Sequence, residues 1–239
     1  VTPGPDEPDT PVLPEPTGTH TLVQVLPNEA PVGETVYVYT NSHSVTDYTI
    51  DASSSATNVE ATTGDAATLL SIPAGGAVHY KFAGISGVDL EQGTSVQGLN
   101  IMFNWDGLTH GANLFFGSIR GSKPLRLRTD SSTSYAFYSD VELDFTKPFE
   151  FIVKATESNT VQYWYSNDGG QTFSLIVEQG YSVKESTPKF VQYAGGSTTI
   201  TSATVYTGES KTGEAVTPGP DEPDTPDTPV LPEPTGTHT

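Results

Sequence analysis

Apolar and polar residues alternate along short segments throughout the middle of the chain. Because successive side chains of a β-strand point to opposite faces of a sheet, each of these segments predicts a strand. No window has a convincing helical period, and clusters of Gly, Pro, Ser, Asn and Asp separate the segments, as is typical of turns. The predicted strands are 21–26, 35–40, 45–50, 66–72, 76–83, 97–105, 113–118, 125–128, 134–145, 149–155, 161–166, 172–177, 188–193 and 198–206.

Residues 161–173, VQYWYSNDGGQTF, form the clearest local signal. They predict a strand, a tight turn and a returning strand, because Asp-Gly and Gly-Gly supply the positive φ angles that hairpin turns need. Residues 166–173 also resemble the Asp-box turn of sialidase propellers, S-x-D-x-G-x-T-[WF]. A propeller repeats that hairpin in each blade, whereas the motif occurs once here, so we interpret it as a structural turn.

The predicted strands together indicate an all-β domain made of two antiparallel sheets packed as a sandwich. From residue 75 onward, the order of segments resembles that of concanavalin-like or laminin-G-like jelly rolls. The segments FEFIVKA and VQYWYSNDGGQTF and a last strand ending at Thr207 carry this resemblance. The resemblance implies a jelly-roll sandwich of the kind used by carbohydrate-binding modules.

The two ends of the chain carry one repeated segment. Residues 1–21 read VTPGPDEPDTPVLPEPTGTHT, and residues 216–239 repeat this segment with an additional Asp-Thr-Pro. Thirteen of the 19 prolines and nine acidic residues lie in these segments, which contain no Lys or Arg. Because such a composition cannot bury a core and favours an extended spacer, we predict linkers at 1–21 and 216–239 around one domain at 22–215.

The repeated linker predicts a tandem array within a longer protein, in which this domain is one module. The linkers resemble the Pro-, Thr- and acid-rich spacers of bacterial cell-surface adhesins and of multimodular glycan-degrading systems. This resemblance implies a secreted or cell-surface location. His20 and His238 belong to the repeat, and we expect no chemistry from either.

The charge and composition exclude several classes of function. The net charge is −19, which disfavours a nucleic-acid partner because phosphate binding needs clustered Lys and Arg. The absence of cysteine excludes disulfides, thiol nucleophiles and thiolate metal sites. No apolar run approaches the roughly 20 residues of a membrane-spanning helix, so no membrane insertion is predicted.

Aromatic side chains are the main candidates for ligand contacts. The chain has two Trp, 11 Tyr and 10 Phe, and none lies in the predicted linkers. Sugar rings have apolar faces that stack on aromatic rings, and their hydroxyls pair with polar side chains. Trp105 ends a predicted strand beside Asn104, Asp106 and His110, so this loop is the first predicted binding site. The alternative is that Trp105 closes one end of the core.

Further candidates extend this predicted surface. Trp164 and Gln162 share a strand face that either binds ligand or packs against the other sheet. Arg126 and Arg128 share a face of strand 125–128 and either bind sugar hydroxyls or are solvated. The remaining aromatic candidates are Tyr138, Tyr181 and Tyr193.

Asp140, Glu142 and Asp144 alternate with apolar residues, so a strand there would display three carboxylates on one face. Paired carboxylates carry out glycoside hydrolysis, and the pattern loosely resembles the E-x-D-x-x-E strand of jelly-roll glycosidases. The order of Asp and Glu and the spacing of the third acid differ from that pattern, and a solvated acidic face explains it without chemistry. Structural calcium could bind these acids or a second set, which consists of Asp51, Asp89, Glu91 and Asp106.

We therefore predict a non-catalytic carbohydrate-binding module that binds a polysaccharide or another glycan and requires no cofactor. Several such modules on spacers would gain avidity. Two alternatives stay open. The first is a repeat domain of an adhesin or stalk, which binds a surface protein or acts only as a spacer. The second is a glycoside hydrolase that uses the acids of 140–144.

Overall fold

The protein was analysed as a computed structural model, which describes residues 19–61, 75–88, 96–102, 113–119, 125–128, 136–137, 144–158, 160–179 and 188–215. The elements in these ranges are β1 (Thr19–His20), α1 (Leu22–Val25), β2 (Thr35–Asp51), β3 (Val59–Ala61), β4 (Ala77–Ser86), β5 (Val96–Met102), β6 (Asn113–Ile119), β7 (Leu125–Arg128), β8 (Ala136–Phe137), β9 (Phe149–Ala155), β10 (Val161–Ser166), β11 (Phe173–Gln179), β12 (Lys189–Gln192) and β13 (Ser197–Thr212).

The described strands form two antiparallel sheets. One sheet has seven strands in the order β1-β11-β10-β9-β4-β13-β2, and the other has six in the order β3-β12-β5-β6-β7-β8. The predicted all-β, two-sheet antiparallel sandwich is therefore confirmed. Most predicted strands coincide with observed ones to within a few residues, and β7, β9 and β10 agree with the prediction at both ends.

The main core lies between the two sheets and is rich in aromatic rings. Alternation along β9 places Phe149, Phe151 and Val153 in this core. Phe82 stacks on Phe149 with ring centroids 4.5 Å apart, and Phe116 meets Phe151 edge-on at 5.1 Å. Each buried ring contributes about 1.5–3 kcal/mol through removal of apolar surface from water, so this layer fixes how the sheets face each other.

The N-terminal segment differs from the prediction. Residues 21–26 were expected to form a strand, but α1 is a single helical turn. The sequence Thr21-Leu-Val-Gln24 allows this, because Gln24 Oε1 accepts a hydrogen bond from Thr21 N at 3.1 Å, as in a capping box. Residues 21–26 do alternate between polar and apolar side chains, but the local cap and the following Pro27 favour a helical turn over a strand.

The same segment begins the sheet earlier than the predicted domain boundary at residue 22. β1 pairs with β11, with Thr19 opposite Ser174 and His20 opposite Phe173. The two residues of β1 lie in the last part of the segment that we predicted to be linker. Residues 1–18 and 216–239 lie outside the described residues, so the linkers there stay predictions.

A second apolar cluster lies on the outer face of the seven-stranded sheet. Val25 and Leu26 cover a layer formed by Ile152, Trp164 and Phe173. Alternation along β9 and β10 places these sheet residues on the face opposite the main core. Residues 19–26 therefore cover part of this outer face, and we call them the N-terminal strap.

The predicted hairpin is confirmed, with β10 paired to β11 across the turn. Asp168 organises this turn: its Oδ1 accepts hydrogen bonds from Gln171 N and Thr172 N, both at 3.0 Å. Hydrogen bonds from Thr172 and Ser166 lower the pKa of Asp168 to about 2. Gly170 has φ +79°, and a Cβ there would lie 2.7 Å from Glu150 Oε2, so only glycine fits.

Four other predicted segments differ from the observed strands or lie outside the described residues. The segments 35–40 and 45–50 belong to one continuous strand, β2. Within 134–145, β8 covers two residues, and Asp144 begins a turn that is closed by Lys147 N donating to Asp144 O. Segment 66–72 lies outside the described residues.

Candidate functional site

The structure divides the predicted binding residues between the two sheets. Arg126 and Arg128 lie in β7 of the six-stranded sheet, whereas Gln162 and Trp164 lie in β10 of the seven-stranded sheet. Tyr193 follows β12 and is described, whereas the other members lie outside the described residues, and they are Asn104, Trp105, Asp106, His110, Tyr138 and Tyr181. The four described residues therefore lie on two different sheets, and each sheet is considered separately.

The outer face of the six-stranded sheet carries a polar side chain among apolar ones. Leu99 and Ile101 belong to the core between the sheets, so alternation places Asn100 on the opposite face. The register pairs Asn100 with Val191 on one side and with Phe115 on the other. We give the name Asn100 face to the surface formed by Asn100, Val191, Phe115, Met102 and Tyr193.

The carboxamide oxygen of Asn100 is the most informative atom on this face. Asn100 is 8% exposed, and its buried Oδ1 accepts no hydrogen bond from the residues that the structure describes. A buried polar atom without a partner costs about 1–3 kcal/mol, and native proteins rarely retain one without a reason. This oxygen is therefore a buried acceptor that has no hydrogen-bond donor among the described residues.

Aromatic rings flank Asn100. Phe115 is buried, and the half-buried Tyr193 meets it edge-on with ring centroids 5.6 Å apart. Tyr193 was a secondary candidate in the sequence, whereas Asn100 and Phe115 were not identified. The sequence did contain a signal for Asn100. Asn is mostly exposed in proteins, so an Asn between Leu and Ile in a strand that is buried on both faces is unusual.

The register also brings β7 onto this part of the sheet. Arg126 lies opposite Phe115, and Arg128 lies opposite Asn113. The row Val191, Asn100, Phe115, Arg126 thus crosses four adjacent strands. The tertiary structure therefore brings the backbone of the two predicted arginines into the same sheet region as Asn100.

The predicted Trp105 site lies in the stretch of sequence between β5 and β6, which is outside the described residues. β5 ends at Met102 and β6 begins at Asn113, and these two residues are register partners. Arg128 ends β7 at this end of the sheet, and Lys189 begins β12 there, where it pairs with Glu60 at 2.8 Å.

Trp164 does not provide a stacking platform. It is 6% exposed, and its ring lies beneath the N-terminal strap with His20 edge-on at 5.3 Å. Its Nε1 donates to Gln162 Oε1 at 3.1 Å, and Gln162 Nε2 donates to Glu178 Oε2 at 2.8 Å. The predicted alternative, in which Trp164 packs in the interior, is nearer to the structure, although the partner is the strap and not the second sheet.

A pocket of about 280 Å³ adjoins Gln162 and is lined by Tyr37, Lys154 and Glu178 among others. Lys154 Nζ donates to Val25 O and lies 5.2 Å from the centroid of the Tyr39 ring. Burial lowers the pKa of Lys154 to about 8, and the charge of Glu178 partly offsets this effect. Tyr37 OH donates to Gly75 O and Gly208 O, and Gln162 pairs with Glu178, so the named polar groups of this pocket already have partners within the fold.

A second pocket, of about 440 Å³, lies beside the Asp168 turn. Glu150 lies at its base, with Oε2 2.6 Å from His79 Nε2 and Oε1 3.4 Å from Lys81 Nζ. Burial alone would raise the pKa of Glu150, but the hydrogen bond and charge of His79 and the charge of Lys81 outweigh burial and lower this pKa. Lys147 also lines this pocket, and it pairs with Asp144 at 2.9 Å, so each of these lysines has an acidic partner.

The predicted carboxylate row is represented by Asp144 alone, since Asp140 and Glu142 lie outside the described residues. Asp144 lies in a turn and is partly exposed, and hydrogen bonds from Thr146 and Lys147 lower its pKa. Within the described part of the chain, no group of three His, Asp or Glu side chains could hold a metal ion. Of the second acidic set, Asp51 is exposed, and Asp89, Glu91 and Asp106 lie outside the description.

Comparison with known proteins finds no matching protein family and no matching curated protein. Solved structures with some similarity include the carbohydrate recognition domain of Emp47p, at 10% identity and a TM-score of 0.43, covering 77% of this chain and 92% of that chain. Fructan 1-exohydrolase IIa from Cichorium intybus is 12% identical with a TM-score of 0.38, covering 73% of this chain and 37% of that one. Botulinum neurotoxin type C, described as interacting with two ganglioside molecules, is 10% identical with a TM-score of 0.39, covering 73% and 43%.

The matches to the exohydrolase and the neurotoxin span less than half of those chains. At these identities and TM-scores, the similarities carry no argument about what this protein binds. Among the described residues, no helix has the length and apolar character needed to cross a membrane. The functional argument therefore depends on the Asn100 face itself.

Proposed function

We propose that this domain is a non-catalytic carbohydrate-binding module of a secreted or cell-surface protein, with the Asn100 face as the floor of its binding site. The observation that supports this proposal is the buried Oδ1 of Asn100, which has no partner among the described residues. Glycans carry many hydroxyl donors, and one of them can pair with this oxygen directly or through a water molecule.

The surroundings of Asn100 agree with this role. Tyr193 offers a half-buried ring against Phe115, and sugar rings stack their apolar faces on such rings. The described part of the site combines two aromatic rings with the Asn100 carboxamide, and small-ligand sites commonly join aromatic side chains with a few polar groups.

Substitution of Asn100 by leucine tests the proposal. Asn100→Leu keeps the size of the side chain and removes the unpaired acceptor. We expect the free energy of unfolding in urea to stay the same or to rise by about 1 kcal/mol, because an unsatisfied polar group is lost. We expect retention in polysaccharide-containing affinity gels to fall by about tenfold for the ligand that the wild type binds.

Gln192 provides the matched control, because it is also buried in the same sheet but both of its side-chain polar atoms have partners. Its Nε2 donates to Gly98 O at 3.0 Å, and its Oε1 accepts from Thr198 Oγ1 at 2.6 Å. Gln192→Leu should destabilise the fold by about 1–3 kcal/mol. If Asn100→Leu behaves in the same way and no polysaccharide retards the wild type, the proposal is wrong and a spacer or adhesin repeat becomes the better explanation.

A further inference from the structure

A pocket of about 330 Å³ lies between the N-terminal strap and the β2 edge of the seven-stranded sheet. Its lining includes Leu22 and Val23 from the strap, and Asn41 and Tyr206 from β2 and β13. We call it the Tyr206 pocket. It is separate from the Asn100 face, which belongs to the six-stranded sheet.

A bulge in the edge strand brings Asn41 beside Tyr206. Val205 lies opposite His43 and Tyr206 lies opposite Asn41, so Ser42 is the extra residue in β2. Since Val205 belongs to the main core, alternation places Tyr206 on the outer face of the sheet, and Asn41 shares that face as its partner. Bulges commonly re-aim side chains next to functional sites.

A backbone hydrogen bond places a second carboxamide at the same pocket. Tyr39 N donates to Pro27 O at 2.6 Å, which holds the chain after the strap against β2, and the next residue, Asn28, lines the pocket. The side chains of Asn28 and Asn41 are exposed, and neither bonds to another residue that the structure describes. A carboxamide both donates and accepts hydrogen bonds, as a sugar hydroxyl does, so these two groups are available to pair with hydroxyls.

The pocket also has an aromatic and apolar part. Tyr206 is half-buried, and its ring packs against the outer apolar cluster. Burial raises the pKa of Tyr206 above its ordinary value, so its hydroxyl stays a protonated donor at neutral pH. Val23 is 65% exposed, and among the described residues only Val32 is a comparably exposed large apolar side chain.

The charge of the lining indicates which glycans the pocket suits. None of its described lining residues is Asp, Glu, Lys or Arg, although the chain has a net charge of −19. An ionic ligand that leaves water needs a partner of opposite charge, whereas a neutral sugar needs only hydrogen bonds and an apolar face. The volume lies near the lower end of the range of about 300–1,000 Å³ for small-ligand sites, so it suits a short part of a glycan.

We propose that the Tyr206 pocket is a second glycan-binding site, which holds a neutral sugar by stacking on Tyr206 and by hydrogen bonds to Asn28 and Asn41. This inference rests on the proposed glycan-binding function, but it does not depend on the Asn100 face.

Neutral polysaccharides test this site by affinity gel electrophoresis. The probes are mixed-linkage β-glucan, xyloglucan and dextran, with polygalacturonate as the charged comparison, at about 0.05 M and 0.5 M NaCl. We expect at least one neutral polymer to retard the wild type equally at both salt concentrations, because the described lining of the pocket carries no charged side chain.

Asn28→Ala combined with Asn41→Ala is the principal variant. Both side chains are exposed and unpaired among the described residues, so the urea midpoint should not change, whereas retention by the neutral polymer should fall about tenfold. Tyr206→Phe should keep most of the retention, because the ring remains. Tyr206→Ala should lose the retention and also destabilise the fold, since the ring packs on the outer cluster.

Val32 supplies the matched control for the apolar wall. It is 68% exposed, close to the 65% of Val23, but it does not line the pocket. Val23→Ala should weaken retention about threefold through lost apolar contact, whereas Val32→Ala should leave retention unchanged.

The outcomes separate this inference from the proposed function. Loss of retention in the asparagine variant, with no loss in Val32→Ala, supports the Tyr206 pocket. If the asparagine variant binds as the wild type does and Asn100→Leu does not, this site is overturned and the proposed function stands. Retention by polygalacturonate alone would overturn the neutral ligand and keep the glycan-binding function. No retention by any polymer would overturn both.

Discussion

Lys154 is a buried side chain that links the stability of the strap above it to pH. Its amine lies under α1, where it bonds to Val25 O and contacts the Tyr39 ring. Burial holds its pKa at about 8, below the usual 10.5. Because a lysine with a lowered pKa carries an energetic penalty when it is charged, this residue makes the stability of the strap depend on pH.

The sign of this dependence follows from proton binding. Between about pH 8 and 10.5 the unfolded chain holds the Lys154 proton while the folded protein has lost it, so the free energy of unfolding rises with pH. Below pH 8 both states are protonated, and the penalty is constant. We expect wild type to gain about 1–2 kcal/mol relative to Lys154→Met between pH 7.5 and 9.5 in urea titrations.

The exposed Lys211 supplies the control for this measurement, since Lys211→Met removes a lysine without removing a buried amine. Its stability should follow wild type in parallel over the same pH range. Parallel curves for Lys154→Met as well would show that Lys154 is not buried as the structure describes. The range stops at pH 9.5 because tyrosines begin to titrate above it.

At the scale of elements, the strap is the part of the fold that the strand pattern misidentified. α1 covers Ile152 and Trp164 with one face only, because Val25 is buried whereas Val23, two residues earlier, is 65% exposed. A single turn of helix is not stable alone, so its conformation depends on packing and on the Thr21–Gln24 cap.

Truncation of the strap residues should therefore be strongly asymmetric. Leu26 is 5% exposed, and Leu26→Ala should destabilise the protein by about 2–4 kcal/mol through lost burial and a residual cavity. Val23→Ala, in the same turn, should change stability by less than about 0.5 kcal/mol. Urea unfolding of both variants measures the difference. Equal effects would mean that the strap does not pack on the sheet in solution.

The hairpin and the strap show which features of an element the sequence predicts and which it does not. The turn at Asp168 was predictable because its hydrogen bonds and positive φ angles are local. The fate of Trp164 was not, because its face is covered by a segment more than 130 residues away in the chain. Alternation shows that two residues share a face, but not what covers that face.

At the scale of the whole molecule, the repeated linker predicts that several copies of the domain act together. A second domain on the same chain binds at an effective concentration set by the linker, so a weak site can hold a polymer firmly. We expect two domains joined by residues 216–239 to bind a retained polysaccharide about 10²-fold more tightly than one domain. Isothermal titration with the polymer measures this ratio.

A short oligosaccharide of the same glycan provides the control, because it occupies one site at a time. Its affinity per domain should be equal for the single and the joined domains. If the joined domains show no gain on the polymer, the linker does not permit both sites to bind one chain, and the repeated segment has another purpose.

The sequence by itself determined the all-β class, most strand positions, the hairpin and the repeated ends, because alternation, turn chemistry and composition are properties of neighbouring residues. Only the tertiary structure decided which residues meet. It buried Trp164 beneath the strap, made Thr19–His20 part of a sheet, and aligned β7 with Asn100. Sheet order joins residues that are far apart in the chain, and the local pattern contains no information about that order.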